Sequence, residues 1–182
     1  TRLLLAVVIA PYAMSEVVSV VMWKSMFDPD AGIVNWLIGR IGVPPLEWSV
    51  NRWHAFALVT LLAIWHHLPF TFLILYTARL ALPRELYEAA ALDGAGTWQQ
   101  FRHLTWRLLL PAVLVAVLFR YIFAFRIFSE VWLLTQGGPA RTTEVLAVYL
   151  YRQAFRYADF GAAAATGWLM LVASLLMGAW YI

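Results

Sequence analysis

Cysteine is absent from this 182-residue chain. That excludes disulfide frameworks, thiolate metal sites and cysteine nucleophiles, and it says nothing about redox compartment. Charge is scarce too: Asp, Glu, Lys and Arg make up 13% of the residues, against about a quarter in an ordinary soluble domain. The formal net charge of +3 is small and the basic residues form no cluster, which argues against a nucleic-acid partner. No Gly-x-x-x-x-Gly-Lys-Ser/Thr phosphate loop occurs, so the chain is not itself a P-loop ATPase. There is also no His-Glu-x-x-His pattern, no Ser/His/Asp set and no pair of carboxylates placed for acid–base work, so no enzyme active site and no metal or cofactor site is read. Internal repeats and low-complexity linkers are missing, which leaves residues 1–182 as a single domain.

What the chain has in abundance is apolar sequence: 63% of residues are hydrophobic and the mean hydropathy is +0.74. Such a composition belongs in a bilayer. Four segments are long enough for a hydrocarbon core of about 30 Å, which takes roughly 20 helical residues. The first runs from about Leu3 to Phe27, with Pro11, Glu16 and Lys24 inside it. The second covers His54 to Leu82. The third runs from Leu108 to Thr135 and carries Arg120, Arg126 and Glu130; the fourth, Phe160 to Ile182, is uncharged. The predicted fold class is therefore all-α, a polytopic helical membrane protein. The chain starts at Thr1, is apolar from Leu3 onward and finishes inside an apolar run; the expectation is a fragment lacking at least one helix on its N-terminal side.

Three connectors separate the spans. Asp28 to Trp53 holds Asp28-Pro29, Asp30-Ala31-Gly32 and Pro44-Pro45, all turn chemistry, around a short amphipathic stretch, Ile33–Ile41. Gln136 to Asp159 opens with Gly137-Gly138-Pro139 and continues as an aromatic-rich amphipathic stretch. Lys/Arg asymmetry does not orient the chain. Arg2, Arg79, Arg84, Arg102 and Arg107 fall on one side; Lys24, Arg40, Arg52, Arg141, Arg152 and Arg156 fall on the other.

The remaining connector, Pro83 to Arg107, is the most polar part of the chain and reads as a helix–turn–helix. Pro83 suits a first helical position, where its missing N–H is not needed. Glu85 and Glu88 fall in the early turns, where the macrodipole favours negative charge. Ala89 to Leu92 propagates the helix, and Asp93-Gly94 ends it, glycine being the usual residue just past a helix. Thr97 with Gln100 fits a capping box that starts a second helix, presenting Trp98, Phe101 and Leu104 or Thr105 on neighbouring turns. On these residues alone the stretch is equally well an ordinary interfacial hairpin.

Glu88-Ala89-Ala90, Asp93-Gly94-Ala95, Phe101 and Pro111 together resemble the EAA signature of binding-protein-dependent ABC importer permeases. Other motifs are similar to the maltose and glycerol-phosphate branch of that family: Pro11, Trp23-Lys24, Phe27-Asp28-Pro29, Gly32, Asn35-Trp36, Trp65 and Pro69-Phe70. The series continues with Leu134-Thr135, Gly137-Gly138-Pro139, Thr143-Glu144, Tyr149, Tyr151 and Ala154-Phe155. The likeness is collinear over nearly the whole chain. Two departures stand out: Trp106-Arg107 replaces the Leu-Pro pair usual at the end of the coupling segment, and Ser129, beside Glu130, stands where the family tends to have Asp.

The resemblance implies the permease core of a type I importer for a carbohydrate solute (sugar, oligosaccharide, polyol or glycerol-phosphate type) in a bacterial cytoplasmic membrane. About four transmembrane helices would accompany a cytoplasmic coupling helix. It implies Pro83–Arg107 inside and the other connectors outside, with Glu88, Ala89, Ala90, Asp93, Gly94, Ala95 and Phe101 seated on the ATPase. Implied partners are an ABC ATPase dimer, a second permease subunit (usually a paralogue), an extracytoplasmic solute-binding protein and the lipid bilayer.

Charges inside the third span have two readings. A central charge costs at least about 2.5 kcal/mol on insertion scales and usually faces a bundle interior or aqueous cavity. Arg126 and Glu130 are four apart, so on a continuous helix they share a face and can pair. One reading puts Arg120, Tyr121, Arg126, Glu130 and Trp132 along a translocation path, with the rings of Tyr121, Phe125 and Trp132 stacking on sugar. The other makes the charges a structural ion pair between helices. Glu16 has the same two readings. His66 and His67 project about 100° apart on a helix, a poor arrangement for one metal, although either with His54 gives a rival reading, a haem-binding electron-transfer subunit. Two more rivals are a permease for another solute class, such as amino acids, phosphate or metals, and a membrane assembly protein that transports nothing.

Overall fold

The computed structural model describes residues 2–181; Thr1 and Ile182, the outer limits of the predicted domain and fourth span, lie outside them. The described residues form helices and connectors, with no strand among them. The helices are α1 (Arg2–Ala13), α2 (Glu16–Met26), α3 (Ile33–Arg40), α4 (Arg52–Leu80), α5 (Arg84–Leu92), α6 (Thr97–Gln100), α7 (Trp106–Phe125), α8 (Ser129–Leu134), α9 (Leu146–Phe155) and α10 (Phe160–Tyr181). The chain divides into two compact units, Thr1–Pro69 with Ile122–Ile182, and Phe70–Tyr121.

Two of the predicted spans are broken. The first is not one rod: α1 and α2 meet at 102°. Pro11 contributes no N–H to the end of α1, and Ser15 restarts the helix by accepting the Val18 N–H at 3.3 Å on its Oγ, which is N-cap chemistry. The third span ends at Phe125, and α8 begins only at Ser129. Arg126 and Glu130 therefore do not sit one turn apart on a continuous helix, as the spacing predicts. The second and fourth spans match α4 and α10. Among the described residues, three helices are long and apolar enough to cross a membrane, Arg52–Leu80, Thr97–Phe125 and Phe160–Ala179, and the bent pair makes a fourth if counted as one span.

The core of the first unit gathers Val20 of α2, Leu58, Val59 and Leu62 of α4, Val131 and Leu134 of α8, and Val148 of α9. Half-buried aromatics extend it: Phe27 stacks on Trp23 at 5.1 Å and meets Trp48 edge-on at 4.9 Å. Asn35 organises the connector from Asp28. Its Nδ2 donates to the carbonyls of Pro29 and Leu46, while its Oδ1 accepts from Leu46 N–H and Trp48 Nε1. The Gly137–Glu144 loop is tied by Thr143, whose hydroxyl lies 2.7 Å from both Thr135 Oγ1 and the Gly138 carbonyl oxygen. Glu144 is gripped by Arg152 at 2.9 Å and by Arg141. The Glu144 hydrogen bond and charge raise the pKa of Arg141 further above its ordinary value, and the guanidinium keeps its charge at any physiological pH.

In the second unit, the end of α4 and the start of α7 flank α5 and α6. Tyr87 fixes α5: its hydroxyl lies 2.9 Å from Thr105 Oγ1, and the Arg79 guanidinium sits 4.5 Å over its ring. Phe101–Thr105 is a π-helical turn, with Trp106 N–H donating to the Phe101 carbonyl. Helix continues through it, so the second arm of the hairpin and the third span form one 29-residue stretch, Thr97–Phe125.

Candidate functional site

Residues of two kinds attract attention, an exposed hairpin in the second unit and a polar cavity in the first. The hairpin is built largely as its sequence dictates. Asp93 closes α5, and Gly94 follows at φ +80°, a left-handed position that glycine takes without a Cβ penalty. Ala95 N–H bonds back to the Ala90 carbonyl at 2.9 Å, securing the turn. The helix starts differ by one residue from the prediction. Pro83 is the cap and α5 begins at Arg84. At the second arm the residue outside the helix is Gly96, and its N–H donates to Gln99 Oε1 at 2.8 Å; the predicted Thr97–Gln100 box is not formed. Gln100 Nε2 instead donates to the Ala95 carbonyl at 3.1 Å.

Glu88, Ala89, Asp93, Gly94 and Phe101 are exposed, and Ala90 and Ala95 half-buried. Two apolar residues outside the predicted set protrude furthest: Leu92 is 90% exposed, and Trp98, stacked on Phe101 at 5.6 Å, is 69% exposed. Nothing in its sequence neighbourhood distinguishes Leu92 from one more helix-propagating residue. Between the arms lies an open groove lined by Ala90, Asp93, Gly94, Ala95, Gln99, Gln100, His103 and Leu104. The small residues Ala90, Gly94 and Ala95, on α5 and at the turn, leave room for another surface to approach closely.

The cavity has a volume of about 340 Å³ and is lined by Tyr12, Glu16, His66, His67, Phe123, Arg126, Ile127 and Glu130. Of the five predicted path residues it takes in Arg126 and Glu130 alone. Arg120 and Tyr121 are half-buried on α7 and do not line it. Trp132 belongs to an aromatic group with Phe128 and Tyr151, its ring 4.7 Å from Tyr151 and covered by Arg156 at 5.5 Å. The expected Arg126–Glu130 pair is replaced by another: Glu130, 2% exposed, lies 2.9 Å from His67 Nε2. The break after Phe125 is the reason, since it turns α8 so that its carboxylate faces α4.

Two of the histidines have hydrogen-bond partners, while the Nδ1 of His54 is buried without one among the described residues. His66 Nδ1 lies 3.3 Å from Ser19 Oγ, His67 bonds Glu130, and the ring of His54 lies 5.7 Å from that of Trp48. The two adjacent rings are 5.1 Å apart and nearly perpendicular, so they serve different neighbours rather than one ligand. The cavity offers carboxylate, imidazole, guanidinium and phenol groups beside the Phe123 ring. That mixture hydrogen-bonds hydroxyl groups and stacks on the apolar face of a ring, and its volume falls in the range of small-molecule sites.

Known proteins are similar to this chain in sequence and in fold. The chain is 34% identical over 183 residues to the diacetylchitobiose uptake system permease protein DasB of Streptomyces coelicolor, covering 99% of this chain and 56% of that protein. It is 32% identical over 167 residues to the trehalose/maltose transport system permease protein MalF of Thermococcus litoralis, covering 92% of this chain and 56% of that one. A crystal structure of a bacterial alginate ABC transporter in complex with alginate pentasaccharide-bound periplasmic protein superposes with a TM-score of 0.90 at 23% identity, over 99% of this chain and 63% of that one; at that identity the likeness is one of fold. The chain therefore spans less than two-thirds of the length of each of these proteins. Residues 1–181 match the family described as binding-protein-dependent transport system inner membrane component, and the chain, largely apolar and helical, belongs to that family of membrane transport subunits.

Proposed function

We propose that this chain forms the permease core of an ATP-driven importer for a carbohydrate, with ATP hydrolysis supplied by a separate ATPase dimer. In this reading residues 1–182 are one permease domain, and 83–107 form its cytoplasmic coupling segment. Glu88, Ala89, Ala90, Asp93, Gly94, Ala95 and Phe101, with Leu92 and Trp98, seat in the ATPase. The observation that carries the proposal is the exposed α5–α6 turn, a polar helix end with small residues and two protruding apolar side chains, held firmly from behind by Tyr87 and Thr105. Such a knob transmits a push along the continuous helix from Thr97 toward Phe125.

The carbohydrate assignment rests on the named solutes of the two relatives and on the chemistry of the cavity, in which Arg126 and Glu130 contribute to the solute path. A second permease subunit and an extracytoplasmic solute-binding protein complete the assembly. The test is ATP-dependent uptake by the complete transporter in proteoliposomes, with a panel of oligosaccharides offered through its binding protein. Uptake of at least one sugar, lost more than about tenfold in Gly94→Trp while the subunits still co-purify, is the expected result. ATP-independent uptake, or full activity of Gly94→Trp, would overturn it.

A further inference from the structure

The short helix α3 is amphipathic in the reverse of the usual sense. An ordinary surface helix buries its apolar stripe and turns its polar residues to water. Here the buried residue is Asn35, satisfied by hydrogen bonds to Pro29, Leu46 and Trp48. The outer face carries Ile33, Trp36 and Leu37, each more than half exposed. With Arg40 they are spaced i, i+3, i+4 and i+7, which is one face of a helix. Ile41, just past the helix end, extends the stripe at 77% exposed.

The inner face fixes where α3 sits. Trp48 Nε1 donates to Asn35 Oδ1 at 3.0 Å. The Trp48 ring meets Phe27, at the end of α2, at 4.9 Å and His54, in the first turn of α4, at 5.7 Å. One side chain thus ties α3 to the point where the span Arg52–Leu80 begins. That point repeats the pairing of an exposed Trp with an Arg. The Arg52 guanidinium lies 4.9 Å over the Trp53 ring, as the Arg40 guanidinium lies 4.4 Å over that of Trp36. Indole rings gather where hydrocarbon meets headgroups, and a long basic side chain carries its charge outward from such a place toward the polar layer. Arg40 is the one charged residue from 33 to 41, so the stripe offers phosphate a cation and no anion. Eight helical residues reach only about 12 Å, too short to cross a bilayer, so lipid covers the whole stripe only if α3 lies along the boundary.

We propose that α3 is an interfacial lipid-binding helix: Ile33, Trp36, Leu37 and Ile41 sink among the acyl chains beneath the headgroups, and Arg40 pairs with a lipid phosphate. The connector from Asp28 to Trp53 is thereby anchored to the membrane surface at which α4 enters. Through Asn35 and Trp48 the same anchor sets the depth of the first turn of α4. The assignment needs the membrane setting of the family and nothing about solute or ATPase.

Residues 1–182 contain no cysteine, so single spin labels can be placed in the complete transporter, cleared of any other reactive cysteine and held in nanodiscs of phosphatidylcholine and phosphatidylglycerol. Labels go on the stripe at Ile33→Cys or Leu37→Cys, and at Glu47→Cys, exposed in the same connector. Co-purification of the subunits shows that each labelled variant is assembled. Power-saturation EPR compares relaxation by oxygen, which concentrates among acyl chains, with relaxation by a water-soluble nickel chelate. Both stripe labels are expected to favour oxygen and to report depths of about 5–10 Å inside the headgroup boundary, whereas the label at 47 is expected to favour nickel. With the label at 37, Arg40→Glu is expected to lower the oxygen-to-nickel ratio more than about twofold, and Arg40→Lys to retain it. Stripe labels that favour nickel would place α3 in water and overturn the proposal. Labels shielded from both relaxants, or shielded once the solute-binding protein is added, would put a protein on the stripe and overturn it as well. An Arg40→Glu ratio equal to that of the parent would remove the phosphate contact.

Discussion

Gly94 and Gly32 are constrained for opposite reasons. Gly94 sits at φ +80° with nothing within 4 Å of an added Cβ, so conformation alone limits it. Gly32 has an ordinary φ of −73°, but a Cβ there would lie 2.4 Å from the Asp28 carbonyl oxygen, a contact with backbone that no rotamer relieves. Gly94→Ala is expected to destabilise by about 1 kcal/mol and to leave uptake within about twofold of normal. Gly32→Ala forces the turn at Asp28 to move, and overpacking of this kind costs about 1–3 kcal/mol or more. Thermal unfolding of the purified complexes should rank Gly32→Ala as the more damaging; equal melting temperatures would contradict the backbone-clash argument. Only the Gly94 half of this comparison was legible in the sequence, because Asp-Gly after an alanine run announces a helix end. The Gly32 clash depends on how residues 26–28 fold over it.

At the scale of elements, the hairpin separates stability from coupling. Leu92 and Trp98 protrude from α5 and α6, so charged replacements there remove little packing, and surface changes of that kind stay within about 0.5 kcal/mol. Leu92→Glu and Trp98→Glu are therefore expected to leave the melting temperature nearly unchanged while lowering ATP-driven uptake more than about tenfold. Normal uptake in both variants would remove these side chains from the docking surface. Periodicity and turn residues located this element to within one residue at each helix start. They failed at α1–α2 and α7–α8, where an apolar run reads as one span. The bend at Ser15 and the break at residues 126–128 are made by capping and by packing against α4, neither of which alters the hydrophobic count.

For the molecule as a whole, the outward faces of the long helices decide the environment. Trp168, Leu169, Leu175 and Leu176 of α10 are all more than 60% exposed, a burden of apolar surface that water does not tolerate but lipid or a partner helix accepts. Orientation follows from the proposed placement of 83–107 in the cytoplasm. A single cysteine introduced at Asp93 is expected to react with a membrane-impermeant maleimide only from the cytoplasmic side, and one at Arg141 only from the opposite side. Labelling of both from the same side would reverse the proposed topology.

Composition by itself determined that this chain lives in a membrane as helices, because 63% apolar residues in runs of span length permit little else. Local pattern determined the hairpin, because caps, a terminating Asp-Gly and small residues act over a few positions. The partners of the buried polar groups were decided by tertiary structure alone. Glu130 finds His67 across 63 positions, and Asn35 binds a loop 11 to 13 positions away. Such pairings depend on where breaks turn the chain, and a hydrogen bond between distant segments leaves no period in the sequence to read.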